Sequence, residues 1–269
     1  SRPNSGNSFP MDWKLDTDTF TNKGGREYNE DFADSRIGEK SAFFVVADGL
    51  GGHRGGDLAS RCVVETLTTA WEEDTAGNVR KDWLEKQILM ANSALLNLQR
   101  ASAAAMKSTV AVLWLDGHTA AWAHVGDSRI YHLSGGRIRL LTDDHSVTFK
   151  KFKAGEITKN AMHDDEDRAR LLRAVGDENC LPDCAALSET HPVRPGDAFL
   201  LCTDGFWEHM CDEEILVDYL KSESATQWGQ LMMLRVMRRL HPDSDNLTFT
   251  VIVAADIQSP WEQRSLLLK

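Results

Sequence analysis

Short apolar runs bounded by turn-forming residues are the feature that most constrains the fold of this chain. Runs of this length, rich in apolar, β-branched or aromatic residues, are typical of strands buried on both faces. The runs are Ala42–Ala47, Thr109–Leu115, Ala120–Val125, Ile130–Leu133, Ala198–Thr203 and Leu247–Ala254. Asp116-Gly117 joins two of them and predicts a hairpin turn.

Helical patterns separate these runs. One begins near Gly56, a longer one covers Arg80 to Ser102, and Glu213–Leu220 and Ala225–Leu240 come near the end. Hairpin-linked strands imply antiparallel sheets, and amphipathic helices need an apolar surface to cover. The sequence therefore predicts an α+β fold in which two antiparallel sheets lie between helix layers.

Aspartates stand where the apolar runs stop. Asp48 and Asp204 directly follow two runs, Asp127 follows a third after one glycine, and Asp245 comes just before the last run. Aspartate before glycine or asparagine is common turn chemistry, which is one interpretation of each position and the preferred one for Asp116. If the others converge, their mutual repulsion requires cations, and all-oxygen ligands suit magnesium or manganese.

A charged cluster near the N-terminus, R-E-Y-N-E-D at 26–31, has two interpretations. Arg26 beside acidic residues forms only a surface ion pair, which contributes little stability. Alternatively, its guanidinium binds a phosphate while the acids bind metal. The local sequence leaves both open.

The net charge limits the classes of partner that this chain can bind, and the cysteine content indicates its cellular compartment. A net charge of −11 argues against nucleic acid and anionic membranes as partners. The five cysteines are scattered, and the Cys180/Cys184 pair lacks the further ligands of a zinc site. No apolar run approaches a membrane span, and the N-terminus lacks a signal-peptide pattern. We expect a cytoplasmic protein.

The domain organisation is expected to be simple. Residues 1–10 are polar and are interpreted as a flexible leader or a cloning remnant. Residues 11–256 form one domain, and 257–269 a C-terminal tail. The mostly polar stretch at about 142–192 is expected to leave the core as an excursion with short helices.

Several segments, taken together, resemble one known family. R-E-Y-N-E-D at 26–31 is followed by D-G-L-G-G-H-R-G-G at 48–56, V-G-D-S-R at 125–129, L-L-R-A-V-G at 171–176, C-T-D-G at 202–205 and D-N-L-T at 245–248. These motifs span nearly all of residues 24–254 and resemble, in order, those of the bacterial PPM family, the protein phosphatase 2C-like metal-dependent phosphatases. The resemblance implies a four-layer α-β-β-α sandwich, with the excursion at 142–192 as a flap subdomain.

The resemblance also implies a centre of two metal ions, Mn²⁺ or Mg²⁺, at one end of the sandwich. Asp31, Asp48 and Asp204 match direct ligands, and Asp245 completes the site of the second metal. Gly49 would contribute its backbone carbonyl.

Further roles are implied around this centre. Glu30 would hold water bound to the metals, and Asp127 with Asp204 would hold a third, weaker metal. Arg26 matches the phosphate-binding arginine. His53 is a candidate general acid, although a histidine at a helix start has a purely structural interpretation as well, and a metal-bound water could serve instead.

The activity implied is that of a serine/threonine protein phosphatase. A hydroxide bridging the metals would attack the phosphorus in line, without a covalent phosphoenzyme. The partners implied are phosphorylated proteins, in opposition to a serine/threonine kinase, and the active unit is expected to be a monomer.

The chain departs from the family pattern in places. Leu50 stands where eukaryotic relatives have a histidine, and Lys107 where a glycine is usual. The flap has His163–Arg168 in place of an H-P-x-R-N-like stretch, and we hypothesise that its acidic residues favour phosphosites with basic neighbours.

Two other interpretations were weighed. Asp16-Thr17-Asp18-Thr19 suggests a haloacid-dehalogenase-like phosphotransferase, but no strongly apolar strand precedes it. A pseudophosphatase, which keeps the fold as an interaction module, is the alternative that is not an enzyme. Such proteins typically lose metal carboxylates, which this chain retains.

Overall fold

The computed structural model describes residues 13–52, 54–74, 79–117, 119–188 and 191–256. Its strands are β1 (Trp13–Asn22), β2 (Asp31–Ile37), β3 (Ser41–Leu50), β4 (Lys107–Ser108), β5 (Val110–Asp116), β6 (Ala120–Val125), β7 (Arg129–Ser134), β8 (Arg137–Leu141), β9 (Asp183–Ala186), β10 (Ala198–Cys202) and β11 (Leu247–Asp256). Its helices are α1 (Gly55–Glu73), α2 (Lys81–Ser102), α3 (Val147–Lys153), α4 (Asp204–Trp207), α5 (Asp212–Lys221) and α6 (Ala225–Met237), with a 3₁₀ helix at Asn160–Asp164.

The strands form two antiparallel sheets. The first has the order β1-β11-β10-β7-β8 and the second β2-β3-β5-β6-β9, with the two-residue β4 paired to the end of β3. Helices α1 and α2 pack on the outer face of the second sheet, and α4, α5 and α6 on the outer face of the first. This is the four-layer α-β-β-α sandwich that the sequence predicts.

Alternate side chains of the inner strands enter different cores. Phe43 of β3 packs under α1 and α2, whereas its neighbour Phe44 packs between the two sheets. Phe199 and Ile252, from the first sheet, enter the same central layer as Phe44. Because both faces are buried, these strands are apolar at nearly every position.

The stretch at 142–192, which the sequence analysis expects to leave the core, follows β8. It contains α3 and the 3₁₀ helix, as expected, but it also contains β9, which pairs with β6 at the sheet edge. Asp165 and Asp167 both pair with Lys151 inside this flap.

Two other predictions can be compared with the fold. Asp16 and Asp18 lie on β1 and accept hydrogen bonds from the first residues of α6, Ala225 and Thr226. They therefore anchor a helix rather than serve as nucleophiles.

Within the described residues, no helix combines the length and apolarity needed to cross a bilayer. The expected leader (1–10), His53 and the C-terminal tail (257–269) lie outside the described residues.

Candidate metal centre

The centre lies where strand ends of both sheets meet. Asp31 begins β2 and is the cross-strand partner of Asp48 on β3. Asp204 begins α4 directly beyond β10, and Asp127 lies in the short link from β6 to β7. Asp245 precedes β11. Rigid strands from both sheets therefore fix the carboxylates, which suits metal binding.

Asp48, Asp127 and Asp204 converge. One carboxylate oxygen from each lies within 4.8 Å of the others. Asp48 and Asp127 are buried, and Asp204 is partly buried. The convergence favours the metal-binding interpretation of these positions over simple turn chemistry.

Hydroxyl groups hold the backbone of this group in place. The backbone N–H of Asp48 donates to Thr109 Oγ1 (3.0 Å), and that hydroxyl also bonds Ser128 Oγ (2.7 Å). The indole N–H of Trp207 donates to the carbonyl of Asp127 (2.8 Å). All three bonds are buried, so the two aspartates have little freedom to separate.

Asp31 is held from the opposite sheet. The Thr203 hydroxyl donates to Asp31 Oδ2 at 2.9 Å. Asp31 Oδ1 is buried and has no hydrogen-bond partner among the described residues, and the same holds for Asp204 Oδ1. Unpaired buried carboxylate oxygens are costly and indicate a missing ligand.

Glu30 directly precedes β2 and packs against the first turns of α1. Its carbonyl accepts hydrogen bonds from the Gly49 N–H (3.1 Å) and the Ser60 hydroxyl (2.7 Å). A Cβ atom at Gly56 would lie 1.7 Å from Glu30 Oε2, so only glycine leaves room for this carboxylate. The amide oxygen of Asn246 accepts the Glu30 N–H (2.8 Å).

Arg26 lies at the mouth of the centre. Its Nε is 3.5 Å from Asp245 Oδ1, and just over half of its side chain is exposed. Both residues line a cleft of about 400 Å³ together with Glu30, Asp48, Gly49 and Ala169 of the flap. The arginine is thus neither remote nor fully neutralised, and its free N–H groups can reach an anion in the cleft.

Burial and mutual repulsion raise the pKa values of the clustered carboxylates. Burial, reinforced by Asp204 and Asp245, raises the pKa of Asp31 to about 7. Burial and then Asp245 raise that of Asp204 to about 6. Burial also raises the pKa of Asp48 and Asp127 well above the usual range, Asp204 being the neighbour common to both. In a metal-free protein the cluster therefore holds protons near neutrality.

These residues fit divalent metal ions. The donors are all oxygens, several are buried, and two of them have no hydrogen-bond partner in the part of the chain that the structure describes. Hard cations such as Mn²⁺ and Mg²⁺ match such a donor set and would displace the protons.

A second group, His124, His145 and Asp183, also has ligand atoms within 4.8 Å. However, His145 Nδ1 accepts the N–H of Gly126 (3.1 Å), so the neutral ring carries its proton on Nε2. Nε2 is the atom that faces Asp183, at 3.7 Å. His124 Nε2 donates to the carbonyl of Asp143 at 2.7 Å, and His145 Nε2 also lies 3.5 Å from Nη1 of Arg173, so both rings already have polar partners in the protein.

The structure adds residues that the sequence analysis did not single out. Thr203, Thr109 and Ser128 support the aspartates, and Asn246 holds the backbone of Glu30. Ser128 and Asn246 stand inside the quoted motifs, each next to an aspartate, so the sequence could have indicated their supporting role. The role of Thr109 depends on a contact between strands and carries no local signal.

Comparison with known proteins identifies relatives over most of the chain. The family model described as "Protein phosphatase 2C" matches residues 24–238. A serine/threonine phosphatase stp of Listeria welshimeri is 34% identical over 184 residues, which are 66% of this chain and 71% of that protein. A putative protein phosphatase 2C-type of Streptococcus pyogenes is 30% identical over 232 residues, which are 84% of this chain and 92% of that protein.

Solved structures show the same architecture. The serine/threonine phosphatase PstP/Ppp of Mycobacterium tuberculosis has a TM-score of 0.77 at 26% identity, covering 89% of this chain and 98% of its own. A catalytic domain of PstP in complex with two manganese ions has a TM-score of 0.76 at 26% identity, covering 89% of this chain and 97% of its own.

Proposed function

Because this chain belongs to the protein phosphatase 2C family, we propose that its aspartate-lined cleft is the centre that hydrolyses phosphoserine and phosphothreonine. The chain is a metal-dependent serine/threonine protein phosphatase. Its cofactor is manganese or magnesium, and its substrates are phosphorylated proteins. The roles of individual residues, argued below, are our proposal.

The observation that carries this proposal is a pair of buried oxygens, Asp31 Oδ1 and Asp204 Oδ1, that have no hydrogen-bond partner among the described residues. Asp204 belongs to the cluster with Asp48 and Asp127, and Asp31 is the cross-strand partner of Asp48. Asp31, Asp48, Asp204 and Asp245, with the carbonyl of Gly49, would hold the two core ions. Asp127 with Asp204 would hold a weaker third. When bound, the ions supply Lewis-acid activation of water and neutralise negative charge on the phosphoryl group.

The remaining residues of the cleft position the substrate and water. Arg26 binds the phosphate through its guanidinium, and the nearby Asp245 carboxylate limits the directions in which the arginine points. The Glu30 carboxylate, seated against Gly56, accepts hydrogen bonds from water in the cleft. His53 remains a predicted general acid.

A covalent cysteine intermediate is disfavoured by the thiols themselves. Burial raises the pKa of all five, to about 11 for Cys180 and about 12 for Cys184. Thiols of this kind are poor nucleophiles at neutral pH. This supports direct attack on phosphorus.

The context of the enzyme follows from the same features. A phosphatase of this specificity acts on the products of a serine/threonine kinase, so we place it opposite one. We propose a monomer as the active unit. The free thiols fit the cytoplasmic location that we expect. We also propose that 11–256 acts as the phosphatase domain, with its flap at about 142–192.

The test is hydrolysis of a phosphothreonine peptide and of para-nitrophenyl phosphate, with manganese, with EDTA and with Asp204→Asn. We expect activity to require manganese and to fall by more than about 100-fold in the variant, since even residues that only support metal ligands change activity by about 10- to 100-fold. Asp116→Asn, in the β5–β6 turn, is the matched control and should retain activity.

A well-folded, metal-loaded wild-type protein without turnover of either substrate would overturn the proposal. That result would favour the pseudophosphatase, an interaction module that keeps the fold.

A further inference from the structure

The flap docks on the segment that directly follows Asp204. The Nδ1–H of His163 donates to the backbone carbonyl of Glu208 at 2.7 Å, and the imidazole meets the Trp207 ring edge-on. Lys159 forms an ion pair with Asp212. Residues 159–163 of the flap thus contact residues 207–212 in three places.

Glu208 is the centre of this contact. Its side chain is only 4% exposed, and its Oε2 lies 3.4 Å from Nη2 of Arg168. Arg168 in turn donates through Nη1 to the carbonyl of His163 at 2.8 Å. Glu208 therefore holds both ends of the 163–168 turn of the flap. Its backbone carbonyl binds His163, and its carboxylate pairs with Arg168.

A buried carboxylate in this place requires a reason beyond folding. Its other oxygen, Oε1, has no hydrogen-bond partner among the described residues and lies 3.4 Å from Nε2 of His209. Burying an incompletely satisfied charge is unfavourable, so the position costs stability. Such costs are most common where geometry serves function.

The contact joins the metal-bearing helix to the wall of the cleft. Glu208 lies one helical turn after Asp204, and its N–H donates to the Asp204 carbonyl at 2.9 Å. Arg168 directly precedes Ala169, the flap residue that lines the cleft. A shift of Arg168 would therefore move the cleft wall without removing a residue of the metal cluster.

We propose that Glu208 is a positioning residue for phosphoprotein substrates, which fixes the flap wall of the cleft by pairing with Arg168 and receiving His163. The inference rests on the proposed function and adds a determinant of substrate binding to it. A phosphopeptide extends beyond its phosphate and contacts this wall, whereas para-nitrophenyl phosphate is too short to depend on it.

The experiment compares Glu208→Gln with Glu214→Gln. The control makes the same chemical change on the following helix, where Glu214 pairs with Arg235 and Arg239 and, among the described residues, forms no ion pair with the flap. In Glu208→Gln we expect the KM for a phosphothreonine peptide to rise about 5-fold with kcat within about 2-fold, the pattern of lost ground-state binding. KM for para-nitrophenyl phosphate and the manganese affinity by calorimetry should stay within about 2-fold of wild type.

A second readout follows the flap directly. Hydrogen–deuterium exchange across residues 159–170 should accelerate in Glu208→Gln and stay unchanged in Glu214→Gln. Arg168→Gln removes the same pair from the exposed side, so it tests the inference even if the Glu208 variant is unstable. Adding Glu208→Gln to Arg168→Gln should change the peptide KM by less than about 2-fold, because both substitutions break one interaction.

Three results would overturn the inference. They are an equal loss with both substrates, a fall in manganese affinity that accounts for the loss, and fully additive effects of the two substitutions. Failure of the proposed function looks different, since it would leave the wild-type protein itself without turnover.

Discussion

The Thr203 hydroxyl holds Asp31 in place from the neighbouring sheet. The hydroxyl donates to Asp31 Oδ2 and accepts a hydrogen bond from the N–H of Thr248 at 3.0 Å. Because the Thr248 N–H occupies a lone pair of this oxygen, the hydroxyl hydrogen is left to point towards the carboxylate. Such a residue would bind no metal itself, but it would fix the orientation of the proposed ligand Asp31.

Thr203→Val should weaken manganese binding by about 10-fold, because Val keeps the shape of the side chain but leaves Asp31 free to turn. Calorimetry on the folded variant measures the affinity. Thr19→Val is the matched control, since Thr19 pairs with Thr250 on the same sheet, away from the cluster. Unchanged affinity in Thr203→Val would show that Asp31 is held by other contacts.

The acidic residues of the flap also have a role that only their contacts reveal. Asp165 accepts hydrogen bonds from the Thr148 hydroxyl and from the N–H of Asp167, and both aspartates pair with Lys151. Two of the acids are therefore engaged within the flap. The hypothesis that they select basic phosphosites stays a prediction, which equal turnover of basic and acidic phosphopeptides would contradict.

Whether a strand could be predicted from its sequence depended on its position in the sheet. The strands predicted from apolar runs are β3, β5, β6, β7, β10 and β11, all inside the two sheets. The missed strands β1, β8, β2 and β9 lie at the four sheet edges, and β4 has only two residues. Edge strands bury less surface and tolerate polar residues, so no continuous apolar run marks them.

Helices α5 and α6 are tied together by Glu214. Its carboxylate accepts from Arg239 (2.6 Å), just beyond α6, and from Arg235 (3.0 Å) within it. Hydrogen bonding from Arg239 lowers the pKa of Glu214 from 4.5 to about 2. Because the pKa of Glu214 is lower in the folded protein, its ionised carboxylate adds to the free energy of unfolding above pH 4.5. This contribution is lost as the pH falls towards 2.

Glu214→Gln should lower the free energy of unfolding by about 1 kcal/mol at pH 7, and the difference from wild type should shrink as the pH falls below 4.5. Urea unfolding at several pH values measures it. Glu213→Gln, in the same first turn of α5, is the control, because Glu213 forms no ion pair with either arginine in the described part of the chain. A difference independent of pH would exclude the ion pairs as its source.

For the whole molecule, the proposed metal ions would join the two sheets. Asp31 and Asp48 belong to the second sheet, Asp204 and Asp245 flank strands of the first, and Asp127 lies in a link between them. Without cations, these carboxylates repel one another across the sheet interface.

Manganese at 100 times its dissociation constant should raise the melting temperature by about 5 to 10 °C, the shift that corresponds to about 2.7 kcal/mol for a domain of this size. EDTA should reverse it. Thermal melts of wild type and Asp204→Asn measure the effect, and the variant should show a much smaller shift. Equal shifts in both would place the stabilising ions elsewhere.

The sequence by itself determined the inner strands, the main helices and the aspartates at the strand ends, because burial on both faces and helical spacing are local patterns. Only the tertiary structure decided that Asp48, Asp127 and Asp204 converge, that Thr203 reaches Asp31, and that Glu208 receives the flap. Each of these depends on strand pairing and packing between residues far apart in the chain. Such contacts arise from the balance of the whole core, and no local pattern encodes them.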